Sequence, residues 1–125
     1  MPEARILIVD DDPSHLKLYS WILARGNFLP VSLLVSGPTL PVPGGAPISL
    51  AVVDYRLGKD WTAVKVIQHL RQTFSDLPVV ILSDFSWLPE DVAPYVSAFV
   101  RKGEPQDLLD TISKILEKHG QDEPH

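Results

Sequence analysis

The chain contains no cysteine. Disulfides, zinc–thiolate centres and a cysteine nucleophile are therefore excluded, and this usage suits a reducing compartment. Positive charge is in deficit: 11 Lys and Arg stand against 16 Asp and Glu, for a formal net charge of −5. No basic stripe exists to displace the counterions of a nucleic acid, so direct nucleic-acid binding by this domain is not expected. No apolar run approaches the length of a membrane span, and a membrane is not an expected partner. Met1 to Arg5 leads almost at once into the short apolar run Ile6–Val9, which ends in acids. A secretion signal needs a longer apolar stretch and a small-residue cleavage site. A cytoplasmic location is the simplest expectation.

What is present suits one domain. A chain of 125 residues, 45% hydrophobic and 22% charged, can bury a single core and has no room for a second. Residues 1–119 are expected to form it, with the polar segment Gly120–His125 as a flexible tail. Four short apolar runs each end in a polar or charged residue: Ile6–Val9 before Asp10, Leu50–Val53 before Asp54, Val79–Leu82 before Ser83, and Ala98–Val100 before Arg101 and Lys102. Runs this short and rich in Val and Ile read as strands buried on both faces, as parallel strands are. Phe28–Val35 is a fifth strand, its Pro30 suiting an edge or a strand start.

Helical patterns lie between the strands. Asp12 can cap a helix with Pro13 in its first position, and Leu16, Tyr19, Ile22 and Leu23 follow at helical spacing up to a stop at Gly26. Ala63, Val64, Ile67 and Leu70 make a second stripe. Glu104 and Pro105 open a third, with Leu108, Leu109, Ile112, Ile115 and Leu116 on its buried side. Two segments break the alternation. Half of the 14 residues of Ser36–Ser49 are Pro or Gly (Gly37, Pro38, Pro41, Pro43, Gly44, Gly45, Pro47), so an extended loop with at most one helical turn is expected there. In Trp87–Ser97, Pro94 follows Pro89 by five residues, which predicts a short, kinked or split helix.

Strand alternating with helix implies an α/β fold, a doubly wound parallel sheet covered on both faces. In such sheets ligands bind beyond the carboxyl ends of the strands, where the winding reverses. In the flavodoxin-like strand order 2-1-3-4-5, the first and third strands are neighbours, roughly 4.8 Å apart. Asp10, Asp11 and Asp54 then crowd one pocket, with Ser83 and Lys102 delivered by the next two strands. Crowded carboxylates repel one another, and a hard divalent cation relieves that repulsion. The cation, an ammonium and a hydroxyl could neutralise a phosphoryl group while a carboxylate attacks in line. Singly, each residue is ordinary: a helix cap, a strand end, a turn hydroxyl, a surface charge. The weight lies in all of them falling one step past four buried strands in the required order.

At these residues the chain resembles the receiver domains of response regulators in two-component signalling. The likeness rests on ILIVDDDP at Ile6–Pro13, VVDYRL at Val52–Leu57, VVILS at Val79–Ser83 and FVRK at Phe99–Lys102, and spans about Arg5 to Lys118. It implies that Asp54 accepts a phosphoryl group from a histidine kinase or phosphotransfer protein, with Mg2+ as cofactor. Asp11 would be a direct metal ligand, Asp10 would act through a metal-bound water, and Asp54 and the backbone carbonyl of Arg56 would complete the set. Ser83 would sense the phosphoryl group, Lys102 would pair with it, and Phe99 would be a switch aromatic. Such a domain is a signalling module that catalyses only its own phosphotransfer and dephosphorylation, with an output domain or partner protein downstream.

The chain departs from that pattern at several places. Gly103 follows Lys102 where the family usually has a proline, often after a cis bond. A cis bond before a non-proline costs about 2.5–4 kcal/mol, so a trans bond is predicted. Asp84 adds a carboxylate at the rim, which is expected to repel small anionic donors. Trp61 replaces a small residue near Asp60–Thr62. These departures, with the altered second and fourth helices, keep open an alternative: a pseudo-receiver used as a phosphorylation-independent docking module. A small flavodoxin-like cofactor binder is a third reading, against which Asp10–Asp12 would repel a flavin phosphate. His15, His69, His119 and His125 share no metal-like spacing and are read as surface residues. Trp61 and Trp87 are weak candidates for a partner-facing surface.

Overall fold

The computed structural model describes residues 4–44 and 47–122. Five strands run β1 Arg5–Asp10, β2 Leu29–Leu34, β3 Leu50–Asp54, β4 Val79–Ser83 and β5 Ala98–Arg101, and three helices run α1 Pro13–Arg25, α2 Ala63–Thr73 and α3 Pro105–Asp122. The sheet is parallel throughout, in the order β2-β1-β3-β4-β5. The expected flavodoxin-like order is therefore present. α3 runs three residues into the segment read as a tail, whereas His125, like Gly45 of the loop, lies outside the described residues.

The apolar runs of β1, β3 and β4 show no polar alternation because these three strands are buried on both sides. The Ala98–Val100 run, expected to be buried in the same way, lies in the edge strand β5, where only Val100 is fully buried. Successive residues serve opposite cores. Ile6, Ile8, Leu50, Val52, Val80 and Leu82 pack under α1 and α3, with Leu23, Leu108 and Ile112. Leu7, Val9, Ala51, Val53, Val79 and Ile81 pack on the other face, under α2. α1 starts as its sequence predicts: the Asp12 carboxylate accepts the Ser14 N–H at 2.8 Å, and Pro13 occupies the first turn. Its end is subtler. Gly26 caps the helix with φ −86°, and the left-handed conformation falls on Asn27 (φ 67°). A Cβ on Gly26 would meet Leu109 Cδ2 at 2.5 Å, so glycine there lets α1 end close against α3.

Two expectations are refined. The buried stripe of α2 is Ala63, Val66, Ile67 and Leu70; Val66 takes the place assigned to Val64, which is half-buried at its edge. Between β4 and β5 the described helix is a single 3-10 turn, Ala93–Tyr95, shorter than a split helix. The Pro/Gly-rich connection between β2 and β3 has no regular helix among its described residues. It nevertheless buries Leu40 and Ile48 against the α2-side core, and Val92 does the same from the β4–β5 connection.

Candidate functional site

Register brings the polar residues together. Val9 pairs with Val53, so Asp10 and Asp54 come one step further along adjacent strands. Asp54 pairs with Leu82, and Ser83 with Arg101. The Lys102 N–H donates to the Ser83 carbonyl at 2.8 Å, which extends the ladder one residue past β5. Asp10, Asp54 and Ser83 are the polar residues buried among the described ones, at 1%, 3% and 3% exposure. Four apolar runs thus each deliver a polar residue to one end of the sheet.

The geometry inside the pocket is defined by charge. Lys102 Nζ lies 3.1 Å from Asp54 Oδ1. The Arg56 N–H reaches the same oxygen at a long 3.4 Å, and an isolated bridge ties Arg56 to Thr62, so the chain after β3 turns back on itself beside the Asp54 carboxylate. Asp10 Oδ1 accepts the Asp12 N–H at 3.0 Å. Burial, and then the Asp54 charge, push the Asp10 carboxyl up from 3.8 to about 6, against the lowering effect of the Asp12 N–H. Burial alone would lower Lys102, but its hydrogen bond and charge interaction with Asp54, with Asp84 and Asp10 behind it, hold the ammonium above its ordinary value. The Ser83 Oγ accepts the Phe85 N–H at 3.1 Å.

The remaining predicted residues stand further out. Asp11 is exposed, with Oδ2 3.6 Å from where a Gly58 Cβ would sit. Phe99 is half-buried in β5 opposite Ile81, against the α2-side core. Asp84 is exposed, yet its charge reaches Lys102 and Tyr19, so it acts on the pocket from the rim. Gly103 has φ +88°, a conformation glycine adopts without strain, and no cis peptide bond occurs among the described residues.

Two residues that the pocket's charges or side chains reach were given no role there by the sequence. His15, taken as a surface residue, places Nδ1 3.4 Å from Asp10 Oδ2 and Nε2 3.6 Å from Asp12 Oδ2. Asp10, His15 and Asp54 can each offer a ligand atom within 4.8 Å of the others. Tyr19, taken as core, is buried on α1, and that burial raises its phenol; Lys102, Asp54 and Asp10 all act on it. The signal for both was their place on the first turns of the helix that leaves the acidic strand end.

The donor set fits a divalent cation. It is rich in carboxylate oxygen, and Asp10 is a buried acid crowded by Asp54, which a positive ion would relieve. No helix among the described residues is long and apolar enough to cross a membrane.

No protein-family model matches the chain, and no curated protein sequence matches it significantly. Solved structures do. A response regulator receiver domain protein from Methanospirillum hungatei superposes with a TM-score of 0.77 at 21% identity, over 97% of this chain and 99% of that one. A sensor protein from Polaromonas gives 0.75 at 25% identity, over 94% and 98%. A response regulator protein from Thermotoga maritima, solved in complex with Mg2+ and BeF, gives 0.68 at 20% identity, over 90% and 98%.

Proposed function

We propose, starting from a chain that has the fold of response regulator receiver domains, that it is a phosphoacceptor switch whose Asp54 takes a phosphoryl group from a histidine kinase or phosphotransfer protein. The observation that carries this reading is a buried carboxylate at a strand end, paired at 3.1 Å with Lys102 and crowded by Asp10.

A carboxylate oxygen of Asp54 attacks phosphorus in line. The new bond is an acyl phosphate, and the bond that breaks is that between phosphorus and the donor's imidazole nitrogen, which takes up a proton from water. Lys102 transfers its ion pair from the free carboxylate to a phosphoryl oxygen. The Ser83 hydroxyl, which now accepts from the Phe85 N–H, keeps its own proton to donate to another. Mg2+, which Asp11, Asp54 and the Arg56 carbonyl would hold directly and Asp10 through a water, would supply the positive charge that these groups alone cannot. Water later attacks phosphorus and Asp54 leaves, which resets the switch.

Incubation with acetyl phosphate and Mg2+ should add one phosphoryl group by mass, and Asp54→Asn should abolish it. Failure of both the wild type and Asp84→Ala to be modified, while both still bind Mg2+, would sink this reading. It would favour the docking module, for which the aromatic stack of exposed Trp87 on Phe85, ring centroids 5.5 Å apart, is the supporting surface.

A further inference from the structure

His15 is the feature of the pocket that an oxygen-only site does not use. It occupies the first turn of α1, five residues after Asp10, and its imidazole turns back over the strand end. Its Nδ1 is buried and has no hydrogen-bond partner among the described residues. The 3.4 Å approach to Asp10 Oδ2 is thus close but not aligned as a hydrogen bond, and the 3.6 Å approach of Nε2 to Asp12 is too long for one. A buried nitrogen left in this way costs free energy unless something else meets it. Two atoms that ligate one ion at about 2.0–2.2 Å lie about 3.0–3.5 Å apart. His15 Nδ1 and Asp10 Oδ2 are at that separation, and the Asp54 ligand atom lies within 4.8 Å of both residues' ligand atoms.

We propose that His15 is a metal ligand, making the pocket a mixed nitrogen–oxygen site that holds a late first-row divalent ion, of the Co2+ and Zn2+ class, more tightly than Mg2+. This rests on the reading that the pocket takes a divalent cation, and it does not depend on phosphotransfer. The chemistry is one of donor preference. Mg2+ selects oxygen and gives up its waters reluctantly, whereas imidazole favours the later metals. Asp10 and Asp54 supply the two carboxylates that converge with the imidazole.

The test uses the metals alone on the full chain at neutral pH. Co2+ should bind once per chain with d–d bands shifted by nitrogen ligation, about tenfold or more tighter than Mg2+, and Mg2+ at high concentration should compete with it. His15→Gln should weaken Co2+ by about tenfold or more while leaving Mg2+ within about threefold. Unchanged Co2+ affinity and bands in His15→Gln would overturn the proposal, as would equal losses for Co2+ and Mg2+ or no Co2+ binding by the wild type. If His15→Gln does not fold, the wild-type imidazole 15N signals decide. A His15 Nδ1 shift with Zn2+ but not with Mg2+ supports the proposal, and an unmoved Nδ1 overturns it. Mg2+ binding and the Asp54 adduct are measured separately, so loss of the His15 ligand leaves the phosphoacceptor reading standing.

Discussion

The two faces of the sheet are closed by different means. One lies under α1 and α3, whose Leu23, Leu108 and Ile112 are fully buried. The other has, among the described residues, the single helix α2, and the area beside it is filled by Leu40 and Ile48 from one irregular connection and Val92 from another. Both faces nevertheless bury the central strands β3 and β4 completely, Val52 and Val53 alike. The pocket sits where those strands end. What it needs is register, and register needs apolar cover more than it needs helical cover. The sharpest way to break this comparison is Leu40→Ala. Truncating a leucine that is 4% exposed should cost about 2–4 kcal/mol in urea unfolding. Well below the unfolding midpoint, the rate of Asp54 modification should stay at the wild-type value. A rate that falls with stability would show that the loop shapes the pocket as well as covering the core.

The converse experiment breaks the pocket and spares the cover. Lys102→Ala removes the ammonium beside Asp54, and Asp54 modification should slow by about 100-fold, the usual scale for one preorganised charge or donor. Circular dichroism should be unchanged. Asp10→Asn sharpens the contrast from the other side. The native carboxylate is buried next to Asp54, and the amide keeps the acceptor for the Asp12 N–H while shedding the charge. In metal-free buffer at neutral pH the variant should be more stable by about 1–2 kcal/mol, because a crowded buried charge is removed. With Mg2+ present the advantage should shrink, since the wild type gains a ligand-binding stabilisation that the variant loses. An Asp10→Asn that is less stable than wild type without metal would mean that the charge interactions of Asp10 with His15 and Lys102 outweigh the cost of its burial.

The pocket was legible in the sequence because its parts are consequences of chain order. Asp10, Asp54, Ser83 and Lys102 each follow a short apolar run, and parallel pairing in the order found leaves them no other place. The Asp12–Pro13 start of α1 was legible for a local reason, a cap and a first-turn proline. What escaped depends on rotation and distance. His15 reaches the pocket only because α1 turns that side toward the strand end, and no spacing rule specifies this. Val66 and Val64 lie on neighbouring faces of α2, and the packing of α2 on the sheet chose between them. Trp61 and His69, read as partner-facing and surface residues, bond to carbonyls 24 and 29 residues away, contacts that no local pattern can encode.

Those two residues carry the smallest test of the comparison. The loop between β2 and β3 lacks the internal hydrogen bonds of a helix, so its position must come from outside. Trp61 Nε1 donates to the Gly37 carbonyl at 3.2 Å, and His69 Nε2 donates to the Leu40 carbonyl at 2.8 Å, with the two rings 5.4 Å apart. His69 of α2 and Trp61, two residues before that helix, therefore pin by side chain to backbone bonds the segment that was expected to be, and is, an extended loop. His69→Leu keeps bulk on α2 and removes one of the two bonds, at an expected cost of about 0.5–1.5 kcal/mol. Asp54 modification should be unaffected. Combined with Leu40→Ala, the cost should be less than the sum of the single effects, since a loop already released from the core no longer holds its carbonyl in place for the imidazole. Full additivity would mean that the buried leucine and the hydrogen bond hold the loop independently, and the cover on this face would then be two separate contacts instead of one cooperative unit.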